Sequence, residues 1–271
     1  MKLFLLPPFD DDWFARDPFA AVEALDGEVY RALEGRCTLR TEVAGQPVFA
    51  KIHRGVGWSE ILKNLIRLRW PVTSALNEWR AISRLEELGV ATMRALAAGE
   101  RGGNPARRHS FLVTAELAPT ISLEDLTRHW REEPPTLALK RAVLRRVASM
   151  VRRMHEGGMN HRDCYLCHFL VHEPIPEDPR QMKISLIDLH RAQIRRRVPR
   201  RWRDKDLAAL YFSALPMGLS RLEKLRFLRL YFGRPLRDVL RDEARSLRWL
   251  EREVVRLEDR YYRRFAPGVE S

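Results

Sequence analysis

The chain has 271 residues, of which 45% are apolar, so it can bury a sizeable core as one large domain or two lobes. Its three cysteines make no disulfide framework, its first residues lack a signal-peptide core, and no apolar run reaches the ~18 residues of a membrane span. The net charge of +13 comes mostly from arginine, which binds phosphate through paired hydrogen bonds. We therefore expect a soluble, intracellular protein with a polyanionic partner.

Short strands are predicted for much of the first half of the chain. Alternating apolar residues indicate strands at residues 37–43, 48–53, 92–99 and 110–117. Before them, Gly27 opens a segment that fits the bend of a loop over phosphates, but a single glycine is a weak signal and more often marks an ordinary turn.

Helical periodicity predicts two helices between these strands. Residues 58–68 form either a core helix or a membrane-surface helix with basic flanks, and residues 75–88 form the second helix. Lys51 lies in a strand, where a lysine usually faces solvent, and Glu78 lies in the first turns of the second helix, where the helix dipole favours an acid. In kinases, however, a helix glutamate orients the strand lysine that holds the α- and β-phosphates. This pattern predicts an ion pair between Lys51 and Glu78.

Two patterns in the second half have the shape of a kinase catalytic loop and its metal-binding aspartate. Residues 161–163 read His-Arg-Asp, and after four more residues comes His168, a side chain able to bind a metal; a short apolar strand then ends at Asp188. Phosphoryl transfer needs the acceptor hydroxyl positioned, its proton accepted and the phosphate charge neutralised. Asp163 is the candidate base, Arg162 is expected to fix the loop, and Asp188 is the candidate metal ligand.

The same loop contains two cysteines that allow other interpretations. Cys164-x-x-Cys167-His168 matches a c-type haem attachment motif and a redox motif, and a zinc site would have to recruit His161 or His168 because the third cysteine is Cys37. We favour the simpler interpretation that both cysteines are small buried side chains that shape the loop.

The linker between the strand-rich and helical parts is placed near residues 116–120. There the backbone of Glu116 is expected to pair with the edge of the adenine. A long helix is predicted at residues 137–155. We expect an α+β, two-lobed, protein-kinase-like fold, with a small strand-rich N-lobe at residues 1–117 that covers the nucleotide and a larger helical C-lobe at residues 118–271.

Arginines are concentrated after Asp188. Such a run is most often a solvated face, but kinases receive their acceptor just beyond the metal-binding strand. The candidate acceptor-binding residues are Arg191, Arg195, Arg200 and Arg201. A helix beginning at residue 205 carries Asp206, which by analogy holds the catalytic loop from beneath. Further helices are predicted at residues 221–232 and 236–265.

A resemblance to one family rests on residues 27–31, 121–125, 160–170, 187–193 and 200–207. Over nearly its whole length the sequence resembles the lipopolysaccharide core heptose(I) kinases of Gram-negative bacteria, because no generic kinase signature produces all five segments. The resemblance implies transfer of phosphate from ATP, with Mg²⁺, to the 4-hydroxyl of the first heptose of the inner core.

The resemblance also implies partners. The acceptor would be the core assembling on lipid A at the cytoplasmic face of the inner membrane, where the enzyme would lie peripherally on an anionic surface. The phosphates and carboxylates of that acceptor would attract an arginine-rich protein. Acyl carrier protein, which is acidic, is a further possible partner.

The chain departs from the general kinase pattern in three places. His168 stands where an asparagine usually binds the second metal, and Mg²⁺ prefers oxygen ligands to imidazole. Asp188 is followed by Leu189 and His190 rather than Phe-Gly, and no glycine trio covers the phosphates. The substitution leaves three roles open for His168: binding phosphate, orienting Asp163 or accommodating Mn²⁺.

Two other hypotheses remain. The same fold would also serve a kinase of proteins or of another small molecule. A basic binding module for nucleic acid or anionic lipid would show no ATP turnover and steeply salt-dependent binding. The chain carries no recognisable nucleic-acid motif, so we do not expect a nucleic-acid partner.

Overall fold

The structure is a computed structural model that describes residues 1–14, 17–33, 35–55, 57–66 and 73–265. Its helices are α1 Phe9–Phe14, α2 Pro18–Glu23, α3 Gly57–Ile66, α4 Leu76–Glu87, α5 Leu123–Thr127, α6 Leu137–Glu156, α7 Arg200–Ser213, α8 Arg221–Phe232, α9 Leu236–Asp242 and α10 Ala244–Phe265. Its strands are β1 Lys2–Leu5, β2 Glu28–Leu33, β3 Arg36–Val43, β4 Gln46–Arg54, β5 Ala95–Arg101, β6 His109–Ala115, β7 Thr120–Ser122, β8 Met159–Asn160, β9 Phe169–His172, β10 Ile184–Leu186 and β11 Gln193–Ile194.

The chain divides into two compact units, which confirm the predicted α+β class. The first unit comprises Met1–Glu86, Thr92–Leu117 and Asp188–Ala192. The second comprises Glu87–Ala91, Ala118–Ile187 and Gln193–Ser271. A single cut between residues 117 and 118 is therefore too simple, because each unit also contains one short segment from beyond that cut.

The first unit is built on a six-stranded antiparallel sheet with the strand order β1-β5-β6-β4-β3-β2. Successive side chains of a strand point to opposite faces, so Val48, Ala50 and Ile52 of β4 enter the core while Lys51 lies on the other face. The core face is covered by α1 and α2, whose Phe9 and Phe19 pack into the same cluster. The alternation in β4 thus sends its one lysine away from the core.

The second unit is organised around α6. Threonine 136 caps its N-terminus, and a stripe of buried side chains runs along it: Val143, Leu144, Val147, Met150, Val151 and Met154. Gly157 and Gly158 end the helix and lead into β8, which pairs antiparallel with β11. The residues between β8 and β11 include the predicted catalytic loop, so this short ladder closes the loop at its base.

One strand was missed, and two predicted helix boundaries are wrong. Strand β1 was not predicted, because four residues are too few to show periodicity; it pairs with the edge of β5. Helix α7 begins at Arg200, not at residue 205, because its first turn is arginine-rich and lacks an apolar stripe. The helix predicted at residues 236–265 is broken at Glu243, which caps α9 and turns its carboxylate to Arg200 and Arg203.

One predicted helix extends past the described residues, and the described helices can be examined for a membrane span. Residues 67 and 68 of the predicted helix at 58–68 lie outside the described residues. Among the helices that the structure describes, none is both long and apolar enough to cross a bilayer.

Gly158 generates the first prediction. Its φ of +81° is in the left-handed region, and a Cβ there would collide with the carbonyl oxygen of Arg195, whose N–H donates to the Gly158 carbonyl at 2.8 Å. We expect Gly158→Ala to lower the free energy of unfolding by about 2 kcal/mol or more, measured by urea denaturation. Gly103→Ala is the matched control, because a Cβ at Gly103 meets nothing within 4 Å. Equal losses in the two variants would contradict this explanation.

Candidate active site

Two adjacent residues of helix α4, Asn77 and Glu78, hold other parts of the first unit in place. Lys51 Nζ lies 2.6 Å and 2.8 Å from the two carboxylate oxygens of Glu78, whose side chain is only 2% exposed. The predicted ion pair is therefore confirmed. On the same face of β4, burial, aided by the charges of Arg36 and Lys51, lowers the pKa of His53 to about 3. His53 is thus neutral and leaves Lys51 and Glu78 as the charged pair.

The neighbouring residue of α4, Asn77, holds the segment that follows Asp188. Its side-chain amide donates to the carbonyl oxygens of His190 at 2.8 Å and Ala192 at 3.1 Å. Asp188 itself has φ 60° and ψ 51°, a left-handed conformation that is strained for a residue with a Cβ and is common at functional sites. His190 Nδ1 lies 2.6 Å from its carboxylate. Several contacts therefore fix the predicted metal ligand.

The catalytic loop of the second unit is held by Asp206. The N–H groups of His161 and Arg162 donate to its two carboxylate oxygens, at 2.6 Å and 2.8 Å. Asp206 is 1% exposed, so these charge-assisted hydrogen bonds form away from water. Arg162 also has a positive φ, of 78°. The prediction that Asp206 supports the loop is confirmed.

Asp206 is itself supported by His155 and Tyr231, which sequence reasoning missed. His155 Nε2 lies 3.2 Å from the Asp206 carboxylate, and its Nδ1 lies 2.7 Å from the Tyr231 hydroxyl. Because a carboxylate only accepts, Nε2 carries the proton and Nδ1 accepts from tyrosine. Burial raises the pKa of Tyr231, so the hydroxyl keeps its proton. His155 is 51 residues from Asp206 and 76 residues from Tyr231, so no local pattern indicates these contacts.

His161 links the catalytic loop to the strand that precedes Asp188. Its Nε2 donates to the carbonyl of Ile187 at 3.0 Å, and its Nδ1 accepts from the N–H of Asp163 at 3.3 Å. The ring of His168 stacks on it, with centroids 5.6 Å apart, and His168 Nδ1 donates to the Asp163 carbonyl at 2.7 Å. The two histidines therefore fix the backbone of Asp163 from both sides.

The cysteines of this loop differ in environment. Cys164 is fully buried, and burial raises the pKa of its thiol well above the usual range, which disfavours a reactive thiolate. Cys167 is half-buried. Within the described ranges, no group of three or more His, Cys, Asp or Glu side chains is arranged to hold a metal. The burial of Cys164 agrees with a role in shaping the loop.

The predicted acceptor arginines occupy different environments. Arg191 lies in the first unit, in a single turn after Asp188. Arg200 is bonded to Ser246 at 2.7 Å and to Glu243 at 3.0 Å. The guanidinium groups of Arg195 and Arg201 instead both lie over the ring of Trp202.

Trp202 is surrounded by four cations. The charged groups of Arg162, Arg195, Arg201 and Lys205 lie 5.2, 6.0, 5.3 and 5.0 Å from its ring centroid. Arg195 donates to two neutral amide oxygens, of Asn160 and Gln193, so these contacts orient its charge without cancelling it. This Trp202 cluster places positive charge on the helix that follows the catalytic loop.

Two predicted nucleotide contacts have other partners. The carboxylate of Glu116 accepts from Arg40 at 2.9 Å, and its N–H donates to the Pro47 carbonyl at 3.0 Å. An adenine contact at Glu116 therefore has to use its carbonyl oxygen. A Cβ at Gly27 would collide with the Arg40 carbonyl, so close packing on β3 explains this glycine without a phosphate.

A buried lysine–glutamate pair and a His-Arg-Asp loop anchored by a helix aspartate define a phosphotransferase of the protein-kinase type. A model of the lipopolysaccharide kinase (Kdo/WaaP) family matches residues 20–231. The chain belongs to this family.

Relatives and a solved structure agree with that assignment. The lipopolysaccharide core heptose(I) kinase WaaP of Pseudomonas aeruginosa is 60% identical over 263 residues, covering 97% of this chain and 98% of the relative. The enzyme of the same name from Escherichia coli is 51% identical over 260 residues, covering 96% and 98%. A structure of WaaP in complex with acyl carrier protein has a TM-score of 0.84 at 57% identity and covers 95% of this chain and 99% of that one.

The role of Asp206 can be tested with a pair of variants. Asp206→Asn replaces one acceptor oxygen with an NH₂ group, leaving a buried N–H unpaired, so we expect a loss of about 2 kcal/mol in unfolding free energy together with lost phosphotransfer. Tyr231→Phe removes only the hydroxyl that bonds to His155 and leaves the contacts of Asp206 in place. It should lower the unfolding free energy by about 1 kcal/mol and leave activity largely intact. Denaturation and ATP turnover measure both effects, and equal loss of activity in the two variants would count against the assigned support.

Proposed function

We propose that this protein transfers the γ-phosphate of ATP to O4 of the first heptose of the lipopolysaccharide inner core. The observation that carries the proposal is the identity of 60% and 51%, over nearly full length, to relatives named as core heptose(I) kinases. The anchored His-Arg-Asp loop supports it, because such a loop presents a carboxylate to an acceptor hydroxyl.

In this proposal each side chain has one task. Asp163 accepts the proton of the heptose hydroxyl, while Arg162 contributes to loop rigidity through its backbone bond to Asp206. Lys51, oriented by Glu78, binds the α- and β-phosphates. The adenine meets the carbonyl of Glu116, and the strand after Gly27 covers the phosphates.

Asp188 is the proposed magnesium ligand. A carboxylate oxygen suits this hard cation, which takes most of its other ligands from water and phosphate, so one protein carboxylate is a reasonable fit. When bound, Mg²⁺ neutralises the charge of the phosphate oxygens. His168 is a poorer ligand for Mg²⁺, because this cation prefers oxygen to imidazole nitrogen.

We propose that the acceptor's anionic groups meet the cations around Trp202. Arg195 and Arg201 belong to that cluster, and Arg191 and Arg200 provide further positive charge after the metal-binding segment. A net charge of +13 supports peripheral attachment to the anionic cytoplasmic face of the inner membrane, where lipid A-core is assembled.

Acyl carrier protein is the proposed protein partner. The similar solved structure is described as a complex with that protein. It is acidic, and this chain is strongly basic. A cavity of about 380 Å³ between α6, α7, α8 and α10 is lined by apolar side chains that include Leu144, Leu207, Phe227 and Leu250. Such a cavity suits the acyl chain that the carrier protein bears.

The test of the acceptor offers the purified protein radiolabelled ATP with truncated core lipid and, separately, with a protein mixture. We expect label in the core lipid, and core oligosaccharide from cells lacking the gene should be lighter by one phosphate in mass spectrometry. Label confined to proteins would favour a protein kinase of the same fold. Binding without any ATP turnover would favour a basic binding module.

Asp163→Ala tests the base. Removing a general base slows proton-coupled transfer by at least about a hundredfold, whereas the loop's backbone bonds to Asp206 remain. We expect loss of phosphotransfer to core lipid with an unchanged denaturation midpoint. Transfer at a rate near that of the unaltered protein would remove Asp163 from the role of base.

Lys51→Met tests nucleotide binding and the ion pair together. Leaving the Glu78 carboxylate buried and unpaired should cost about 3–5 kcal/mol of stability, and the KM for ATP should rise. The double variant Lys51→Met/Glu78→Gln should regain stability, because no charge remains buried, yet keep the weak use of ATP. Unchanged ATP kinetics in the single variant would show that Lys51 does not bind the phosphates.

A further inference from the structure

A second basic cavity lies within the helical unit. Its volume is about 1140 Å³, and it is formed by the end of α6, the start of α7, the residues just before α7 and the end of α8. Its charged lining consists of five arginines and two glutamates, namely Arg152, Arg196, Arg197, Arg200, Arg203, Glu156 and Glu243. Asp163 and Arg162 are not part of this lining. The cavity is therefore positively charged and distinct from the catalytic loop.

The inner arginines of the cavity are fixed by Glu243. Its carboxylate accepts from Arg200 at 3.0 Å and from Arg203 at 2.8 Å, and Arg234 approaches it at 3.4 Å. Burial by itself would raise the pKa of Glu243, but the hydrogen bonds and charges of Arg203, followed by the charges of Arg200 and Arg234, lower it. Asp204 also pairs with Arg203 at 2.8 Å, and Asp242 pairs with Arg234 at 2.7 Å. These guanidinium groups are thus ordered and largely neutralised by acids, and the excess positive charge of the cavity comes from Arg196 and Arg197.

The outer arginines are Arg196 and Arg197. Both are exposed, and among the described residues neither is bonded to an acid. The buried side chain of Val198 anchors the segment that carries them. Their guanidinium groups are therefore available to a ligand at the cavity's rim, with little to lose from the fold if they are removed.

The size and the remaining lining narrow the class of ligand. A volume of about 1140 Å³ is far larger than an inorganic phosphate needs and slightly exceeds the roughly 300–1,000 Å³ of sites for whole organic ligands. Tyr231 and Phe232 add aromatic surface beside the arginines. Charged and apolar lining together suit a phosphorylated sugar.

The cavity also shares a wall with the support of the catalytic loop. His155 and Tyr231 line it, and the same two side chains carry the hydrogen-bonded chain to Asp206. A ligand held here is thus seated on the elements that hold the His-Arg-Asp loop.

We propose that this cavity binds the phosphate-bearing sugars of the lipid A part of the acceptor, with Arg196 and Arg197 contacting phosphate at the rim. The inference rests on the proposed function and deepens it, because it names the part of the acceptor that is recognised away from the reacting heptose. Binding of this kind raises affinity for the acceptor without taking part in the chemical step.

The experiment pairs Arg196→Ala/Arg197→Ala with the control Arg141→Ala/Arg145→Ala, which removes the same charge from two exposed arginines of α6 outside the cavity. Steady-state kinetics are measured with truncated core lipid carrying both lipid A phosphates and with the same lipid after their removal. For the rim variant we expect the acceptor KM to rise at least about tenfold with the phosphorylated lipid, while kcat and the KM for ATP change less than about twofold. With the dephosphorylated lipid, the unaltered protein and the rim variant should have the same raised KM.

Several results would overturn the proposal. An unchanged acceptor KM in the rim variant, an equal rise with both lipids, or an equal rise in the control variant would each show that the cavity does not recognise these phosphates. Binding of diphosphoryl lipid A micelles and of phosphatidylglycerol vesicles is measured in parallel on all three proteins. The rim variant should lose affinity for lipid A alone, and an equal loss for phosphatidylglycerol would indicate a general membrane contact and overturn the assignment.

The measurements of lipid A binding test the cavity independently of the proposed reaction. If no core lipid is phosphorylated, the proposed function fails, while a selective loss of lipid A binding in the rim variant would still support the cavity. Displacement of lipid A by an equal concentration of inorganic phosphate would show a simple anion site and overturn recognition of the sugar phosphate.

Discussion

The carboxylate of Asp206 is the constraint on which the catalytic loop depends. Two consecutive backbone N–H groups point at one buried acid, and one of the residues that donates them, Arg162, has a positive φ. A strained backbone persists only where its surroundings determine it fully. The hydrogen bonds from Tyr231 to His155 and from His155 to Asp206 hold this carboxylate in its position. The geometry of the His-Arg-Asp loop is thus set in part by residues that are distant from it in sequence.

Helix α4 plays the corresponding part in the first unit. Glu78 orients Lys51 by charge, and Asn77, one residue earlier, orients the backbone after Asp188 by hydrogen bonding. Two adjacent residues of one helix therefore position Lys51 and the segment that follows Asp188. A displacement of α4 would disturb both, which is a physical reason for placing them on the same element.

The parts of the site that sequence could predict are those with a local pattern. The strand alternation around Lys51, the His-Arg-Asp loop and the acid at position 206 each have a recognisable spacing. The hydrogen bonds through His155 and Tyr231 and the basic cavity have none, because their members come from separated helices. The Trp202 cluster joins α7 to Arg162 of the distant His-Arg-Asp loop, and no spacing in the sequence indicates that contact either. The break at Glu243 was missed for the same reason: the contacts of Glu243 are with Arg200 and Arg203, some 40 residues earlier. Helical periodicity alone predicts continuation there.

Positive charge in this protein is arranged at three levels. Glu78 neutralises Lys51 within a part-buried pair. Glu243 and neighbouring acids order a group of arginines. Trp202 gathers cations around an uncharged ring. Arginine suits the second and third levels because its planar group bonds to acids and stacks on aromatic rings while retaining its charge. The composition alone indicates an anionic partner, whereas the structure separates structural arginines from those available for binding.

The central claim is the transfer of phosphate to one hydroxyl of one sugar. Its most direct test is ³¹P and ¹H NMR of truncated core lipid after incubation with the purified protein and ATP. The account predicts a single new phosphate monoester, coupled to the proton on C4 of the first heptose. A phosphate on another position or another sugar, or an unmodified lipid, would contradict it.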